Sequence, residues 1–184
     1  AAVIEMGMNH PGEIAYLAPL GAPAVAVITN AQRAHLEGMG DMDEVAREKG
    51  SIFSGLTADG VAVVNADDAY AGLWRQMAGR HAVRSFGIDH SADVLGAVRQ
   101  HGLETLLTLQ ATEGKAELCL PVPGRHNARN AVAAAAAWIF VGGPKPFTAR
   151  FSAATRSRAA ATASRIAFAR SSARCKPASP RIST

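Results

Sequence analysis

Four short constellations in this 184-residue chain hold side chains able to do chemistry. Glu5 closes the apolar opening run Ala1-Ala2-Val3-Ile4, and a carboxylate at the C-terminal end of a strand in an open α/β sheet stands where ligands gather. It can hold a divalent cation there, or it can cap a nearby amide. His35 lies in the polar, glycine-bearing stretch 30–40, where an imidazole can ligate metal, contact phosphate or remain solvated. Lys49 shares one helical face with Val45, Ile52 and Phe53. A lysine shielded from water has a lowered pKa, and its neutral amine can add carbon dioxide to become a carbamate, an anionic metal ligand. The plainer reading is a stem lying over apolar surface with the ammonium in water. Gly124-Arg125-His126-Asn127-Ala128-Arg129-Asn130 opens an Ala-rich helix. Three residues apart, Asn127 and Asn130 face one way and can hydrogen-bond an adenine edge, or they serve as an N-cap and a surface amide.

Positioning these groups requires an alternation of strands and helices. Residues 1–6 read as a buried strand, 12–20 as a helix, and 24–29 as a second short apolar strand bounded by Pro23 and Asn30. Residues 42–56 carry a helical apolar face, with Asp43 and Glu44 near the start, where the helix dipole favours negative charge. Residues 60–65 form a third buried strand, followed by the acidic turn Asp67-Asp68, a helix through Met77 and a fourth strand at 83–87. Short apolar strands flanking helices imply a parallel sheet covered on both faces. The texture then changes. Residues 94–100, 104–110 and 116–120, with a turn at Glu113-Gly114, read as antiparallel hairpins forming a small side sheet, and 124–137 as a loop and helix.

Charge is distributed unevenly. Nine Lys or Arg and no Asp or Glu follow residue 140, leaving ten basic against fifteen acidic groups before it, so the net +4 belongs to the tail. That tail, 141–184, is built from Ala, Ser, Arg, Thr and Pro without sustained periodicity. It reads as a basic disordered arm or as a segment translated out of frame. Cys119 and Cys175 form no C-x-x-C pair and no disulfide framework, which fits a reducing, cytoplasmic setting. No apolar run approaches the roughly twenty residues needed to span a bilayer, which argues against a membrane role.

Taken together and in order, Glu5-Met-Gly7-Met-Asn9-His10-Pro-Gly12-Glu13-Ile14, Asn30, His35-Leu-Glu-Gly-Met-Gly40, Glu48-Lys49-Gly50-Ser-Ile52-Phe53, Asn65-Ala-Asp67-Asp68 and Gly124-Arg-His126-Asn127-x-x-Asn130-Ala131 resemble the central domain of the Mur ligases. The resemblance covers nearly all of residues 1–140. It implies an α/β fold, a mostly parallel sheet flanked by helices like that of P-loop NTPases, with the small antiparallel side sheet. It also implies an ATP-dependent amide ligase of peptidoglycan-precursor synthesis, using Mg2+ and proceeding through an acyl phosphate.

By resemblance, Glu5 helps to hold magnesium at the β and γ phosphates, and His35 with a carbamylated Lys49 holds a second ion beside the acyl phosphate. His126, Asn127 and Asn130 lie near adenine and phosphates, while Asn9, His10 and Asn30 are candidates for substrate contact. His35-Leu-Glu-Gly with Gly12-Glu-Ile argues for the type that joins D-alanyl-D-alanine to UDP-N-acetylmuramoyl-tripeptide. The pattern departs from the family at both flanks. No Gly-Lys-Thr/Ser phosphate loop precedes Glu5, and after Ala137 the tail replaces the expected C-terminal domain. The expected organisation is thus a central ATP-binding domain over 1–140, lacking its phosphate-loop part and inactive alone, plus the tail 141–184. Three other readings stay open: a non-catalytic nucleotide- or protein-binding module, a nucleic-acid binder acting through the basic tail, and a different Mur ligase or folylpolyglutamate synthase relative. The acidic balance of 1–140 argues against nucleic acid for that part.

Overall fold

The computed structural model describes residues 2–31, 41–141 and 150–152. His35 and most of the tail therefore lie outside the described residues. In chain order the elements are helix α1 (Glu13–Gly21), strand β1 (Val25–Ile28), helix α2 (Met42–Gly50), a 3-10 turn (Ser51–Gly55), β2 (Val61–Asn65), helix α3 (Ala71–Met77), β3 (Ala82–Gly87), β4 (Val94–His101), β5 (Glu104–Ala111), β6 (Gly114–Leu120), helix α4 (Arg125–Phe140) and a three-residue strand β7 (Arg150–Ser152). Among the described residues all seven strands lie in one sheet in the order β1-β2-β3-β4-β5-β6-β7. The β1–β2, β2–β3 and β3–β4 pairs are parallel, whereas β4–β5 and β5–β6 are antiparallel. The hairpins therefore extend the parallel sheet through β3–β4. At the far edge β7 pairs parallel with Glu117–Cys119 of β6, so the tail contributes one short strand.

Alternation along the parallel strands sorts side chains into two cores, as the two-residue period of a strand requires. Ala26 and Ile28 of β1 and Ala62 and Val64 of β2 face Ala46, Phe53, Leu56, Trp74 and Ala78 from α2, the 3-10 turn and α3. On the other face Val63 and Phe86 meet Ala128, Val132, Ala133, Ala136 and Ile139 of α4, joined by Val94, Leu107 and Leu109 from the hairpins. Small alanines along α4 allow the helix to lie close to the sheet. Trp74 is fully buried, and its indole N–H donates to the Ala46 carbonyl at 2.8 Å, which satisfies the polar atom that burial brings with it.

Two expectations change. The buried strand expected over 1–6 is not formed by the described residues there: residues 2–7 carry no strand hydrogen-bonding pattern, and Val3 and Ile4 are 82% and 62% exposed. Apolar composition makes a strand only where a neighbouring strand takes up the backbone donors and acceptors, and this segment has no place in the sheet order. The helix expected over 42–56 ends at Gly50 and tightens into the 3-10 turn. There the Ser51 hydroxyl donates to the Glu48 carbonyl at 2.5 Å, a local bond that competes with α-helical continuation.

Candidate functional site

The C-terminal ends of β1, β2 and β3 and the start of α4 form one polar edge. Lys49 stands on the last turn of α2, half-buried, and its ammonium donates to the carbonyl of Asn30 at 2.7 Å. Burial lowers its pKa, and the carboxylate of Asp68 opposes that shift. Asp68 also accepts from the Ala31 amide at 3.0 Å and from the Tyr70 amide at 3.0 Å. The backbone that receives Lys49 is thereby fastened to the turn after β2. Beside it, the buried Asn65 side chain donates to the Thr29 carbonyl at 2.7 Å and accepts from the Asp67 amide at 2.9 Å, an Asx turn that ties the ends of β1 and β2 together.

Asp67 faces the other way along the edge. Its carboxylate, with 4% of the side chain exposed, accepts the amides of Ile88 at 2.8 Å, Asp89 at 3.0 Å and His90 at 2.8 Å. The Arg129 Nε lies 3.5 Å away. Burial alone would raise the Asp67 pKa, but these three amides and the Arg129 charge outweigh it and hold the carboxyl below the ordinary 3.8. Gly87 makes room for this approach, since a Cβ there would come within 2.8 Å of the Asp67 Oδ1. Asp89 in turn pairs with Arg125 and with Arg129, the latter at 3.4 Å. Both arginines belong to the first turns of α4, which also carry His126, Asn127 and Asn130. His126 and Asn130 are exposed, and Asn127 donates to the Pro123 carbonyl at 2.7 Å.

The stretch 5–14 joins the edge through Glu48, the residue before Lys49. Buried to 9% exposure, its carboxylate accepts from Gly12 at 2.9 Å, Ile14 at 2.7 Å and Ala15 at 3.4 Å. These are amides at the start of α1, which a helix cannot satisfy itself. Gly12, with φ +91°, adopts a left-handed conformation that turns its amide toward Glu48. Next to it, Glu13 accepts from the amides of Asn9 at 2.5 Å and His10 at 3.2 Å, bonds that lower its pKa. Asn9 and His10 are thus folded back on the helix start. Glu5 is exposed on the extended segment rather than at the end of a strand.

Of the residues singled out from sequence, Lys49 and Asn30 are in direct contact, and His126, Asn127 and Asn130 share one helix start. The stretch holding Asn9 and His10 is fastened to the residue next to Lys49, whereas His35 lies outside the described residues. Among the described residues no group of three or more His, Cys, Asp or Glu is arranged so that it could hold a metal ion. Sequence reasoning gave no role to the connecting residues: Glu48, Asn65, Asp67 and Asp68, present only as members of the family motifs, and Asp89 and Arg129. The Asn-x-Asp spacing of an Asx turn is a local signal of what Asn65 does.

A parallel sheet with its polar edge at the strand C-termini and an asparagine-bearing helix start is an arrangement that suits nucleotide chemistry. The chain belongs to the Mur ligase middle domain family, whose model matches residues 1–138. It is 43% identical over 145 residues to the UDP-N-acetylmuramoyl-tripeptide--D-alanyl-D-alanine ligase of Escherichia coli K12, covering 77% of this chain and 32% of that protein. Among solved structures, MurF from Acinetobacter baumannii superposes with a TM-score of 0.72 at 34% identity, covering 76% of this chain and 30% of that one. The fold is shared also with MurF of Thermotoga maritima, solved in complex with ADP, at a TM-score of 0.65 and 22% identity over 77% of this chain and 33% of that one. The chain spans about a third of the length of the curated relatives it matches.

Proposed function

We propose that this chain is the nucleotide-handling part of an ATP-dependent ligase that joins D-alanyl-D-alanine to UDP-N-acetylmuramoyl-tripeptide in peptidoglycan-precursor synthesis, a cytoplasmic reaction. Residues 1–140 are its central domain, in keeping with a family match that ends at residue 138, and 141–184 are an appended tail that meets it through β7 at the edge of the sheet. In such a reaction the tripeptide carboxylate attacks the γ-phosphorus of ATP and ADP leaves. The amine of D-alanyl-D-alanine then adds to the acyl phosphate, and inorganic phosphate departs from the tetrahedral intermediate as the amide forms. Because the chain spans only part of its relatives, on its own it is expected to bind nucleotide without turnover.

The observation that carries this reading is Lys49, held half-buried against the Asn30 carbonyl with its pKa lowered. An ammonium cannot ligate a cation. Only the neutral amine, converted to a carbamate, turns Glu5, His35 and Lys49 into a hard-oxygen and imidazole donor set fit for Mg2+. When bound, magnesium neutralises polyphosphate charge and the charge that develops during transfer. Glu5 would help to hold one ion at the β and γ phosphates, and Lys49 with His35 would hold a second beside the acyl phosphate. Asn127, Asn130 and His126 take the adenine end, while Asn30, Asn9 and His10 line the approach of the peptide substrate.

The test is 13C NMR of the chain in 13C-labelled bicarbonate, together with calorimetric titration of ATP and Mg2+. A carbamate signal that disappears in Lys49→Met, and ATP binding that is lost in Asn127→Ala/Asn130→Ala, are the expected results. ATP binding without any carbamate would reduce the chain to a nucleotide-binding module, and absence of both would remove the reading.

A further inference from the structure

Asp67 has no part in the chemistry described so far, yet among the described residues its carboxylate gathers more hydrogen-bond donors than any other. It takes three consecutive amides, Ile88, Asp89 and His90, and lies within 3.5 Å of the Arg129 guanidinium and 3.4 Å of the His90 ring. Asp89, on the loop that those amides shape, accepts from Arg125 and Arg129. Arg125 and Arg129 are one turn apart and share a face of α4, whereas Asn127 and Asn130, three residues apart, project together from another face of the same two turns. A rotation of α4 about its axis would pull both arginines from Asp89 as it lifted Ala128 and Val132 from the sheet. The azimuth of the asparagines is therefore fixed from behind.

We propose that Asp67 is a positioning residue for nucleotide recognition: through the 88–90 loop and the Asp89–Arg125–Arg129 contacts it sets the orientation of the helix start that presents Asn127 and Asn130. The inference rests on the nucleotide role proposed for those asparagines. Asp67 itself touches neither substrate nor nucleotide in this scheme. Its two oxygens are already taken by the loop amides and the guanidinium. Substitution by Asn would remove the charge and replace one acceptor by a donor facing amide N–H groups, a mismatch that releases the loop without changing side-chain volume.

A comparison carboxylate lies just before β4 and binds β3. Asp93 accepts from the Ser85 amide at 2.7 Å and the Ser85 hydroxyl at 2.8 Å, and it makes no contact with α4 among the described hydrogen bonds. Asp67→Asn and Asp93→Asn in the full 184-residue chain are to be compared by NMR of the Asn127 and Asn130 side-chain amides without nucleotide, and by ADP titration in Mg2+. Asp67→Asn is expected to shift and broaden both amide signals, to speed exchange of the 88–90 amides at least tenfold, and to weaken ADP about tenfold. Asp93→Asn is expected to leave the asparagine signals in place and ADP affinity within twofold. Unmoved asparagine signals in Asp67→Asn, or equal movement in Asp93→Asn, would overturn the positioning role whatever ADP does. Shifted signals in a chain whose wild type takes up no ADP would uphold the positioning and remove the nucleotide reading instead. Rescue of both signals and affinity by Asp67→Glu would distinguish the carboxylate's role from loss of packing.

Discussion

The parallel and antiparallel halves of the sheet are built on different terms. From β1 to β3 both faces are covered, by α2, α3 and the 3-10 turn on one side and by α4 on the other. The strand C-termini are then the open part of that half, and there the polar network from Lys49 to Arg129 collects. In β4 and β5 only one face is packed. Val94, Leu107 and Leu109 point to α4, while Leu95, Ala97, Thr108 and Gln110 are exposed. This half holds none of the candidate site residues and acts as backing for α4. A parallel sheet needs helices on both faces, and the helices deliver the polar groups to its ends; an antiparallel hairpin needs neither.

The largest effect that would sharpen this contrast is loss of a core anchor in the doubly covered half. Trp74→Ala should lower stability by about 4 kcal/mol in urea denaturation, since it removes a fully buried ring and leaves the Ala46 carbonyl without its partner. Leu107→Ala, packed on one side of the sheet, should cost about 3 kcal/mol. If the order were reversed, the hairpins rather than the parallel strands would be the stable part. Next in size is Glu48→Gln, expected to cost about 2 kcal/mol and to loosen the start of α1, because three amides lose a charged acceptor.

Acid pH offers a gentler probe. Asp67 and Asp93 both lie below the ordinary 3.8: burial pushes each up, and hydrogen bonds with nearby arginine charge pull each further down. A depressed folded-state pKa contributes stability that is fully present above the unfolded value and is lost as pH falls through the folded one. Unfolding free energy should therefore be flat from these groups at neutral pH and decline below about pH 4. In Asp67→Asn/Asp93→Asn that decline should be shallower. The smallest effects separate site from scaffold: Lys49→Met should change stability by no more than about 1 kcal/mol, since burial already works against its ammonium. Arg99→Ala on the exposed face of β4 should stay within about 0.5 kcal/mol.

Much of the parallel half is legible in the sequence because its strands are short apolar runs, and the observed β1, β2 and β3 fall inside or within one residue of the expected spans. Residues 2–6 are equally apolar, but composition does not reveal whether a neighbouring strand exists to pair with. The break after Gly50 escaped notice because Ile52 and Phe53 keep a helical spacing while the backbone tightens. Lys49 was legible from its place on an apolar face. Glu48 and Asp67 stood in the family motifs, but what they bind was not legible, since their partners stand 33–36 and 21–62 positions away along the chain. Roles that depend on such long-range bonds leave no local trace.

The central claim is that the C-terminal edge of the parallel half receives the nucleotide. The most direct measurement is a chemical-shift map of the chain on addition of ADP and Mg2+. Perturbations should gather at His126, Asn127 and Asn130, extend along the edge to Asn30 and Lys49, and spare the exposed face of β4 and β5. Perturbations concentrated on Ala97, Arg99 and Thr108, or none on the α4 start, would contradict it.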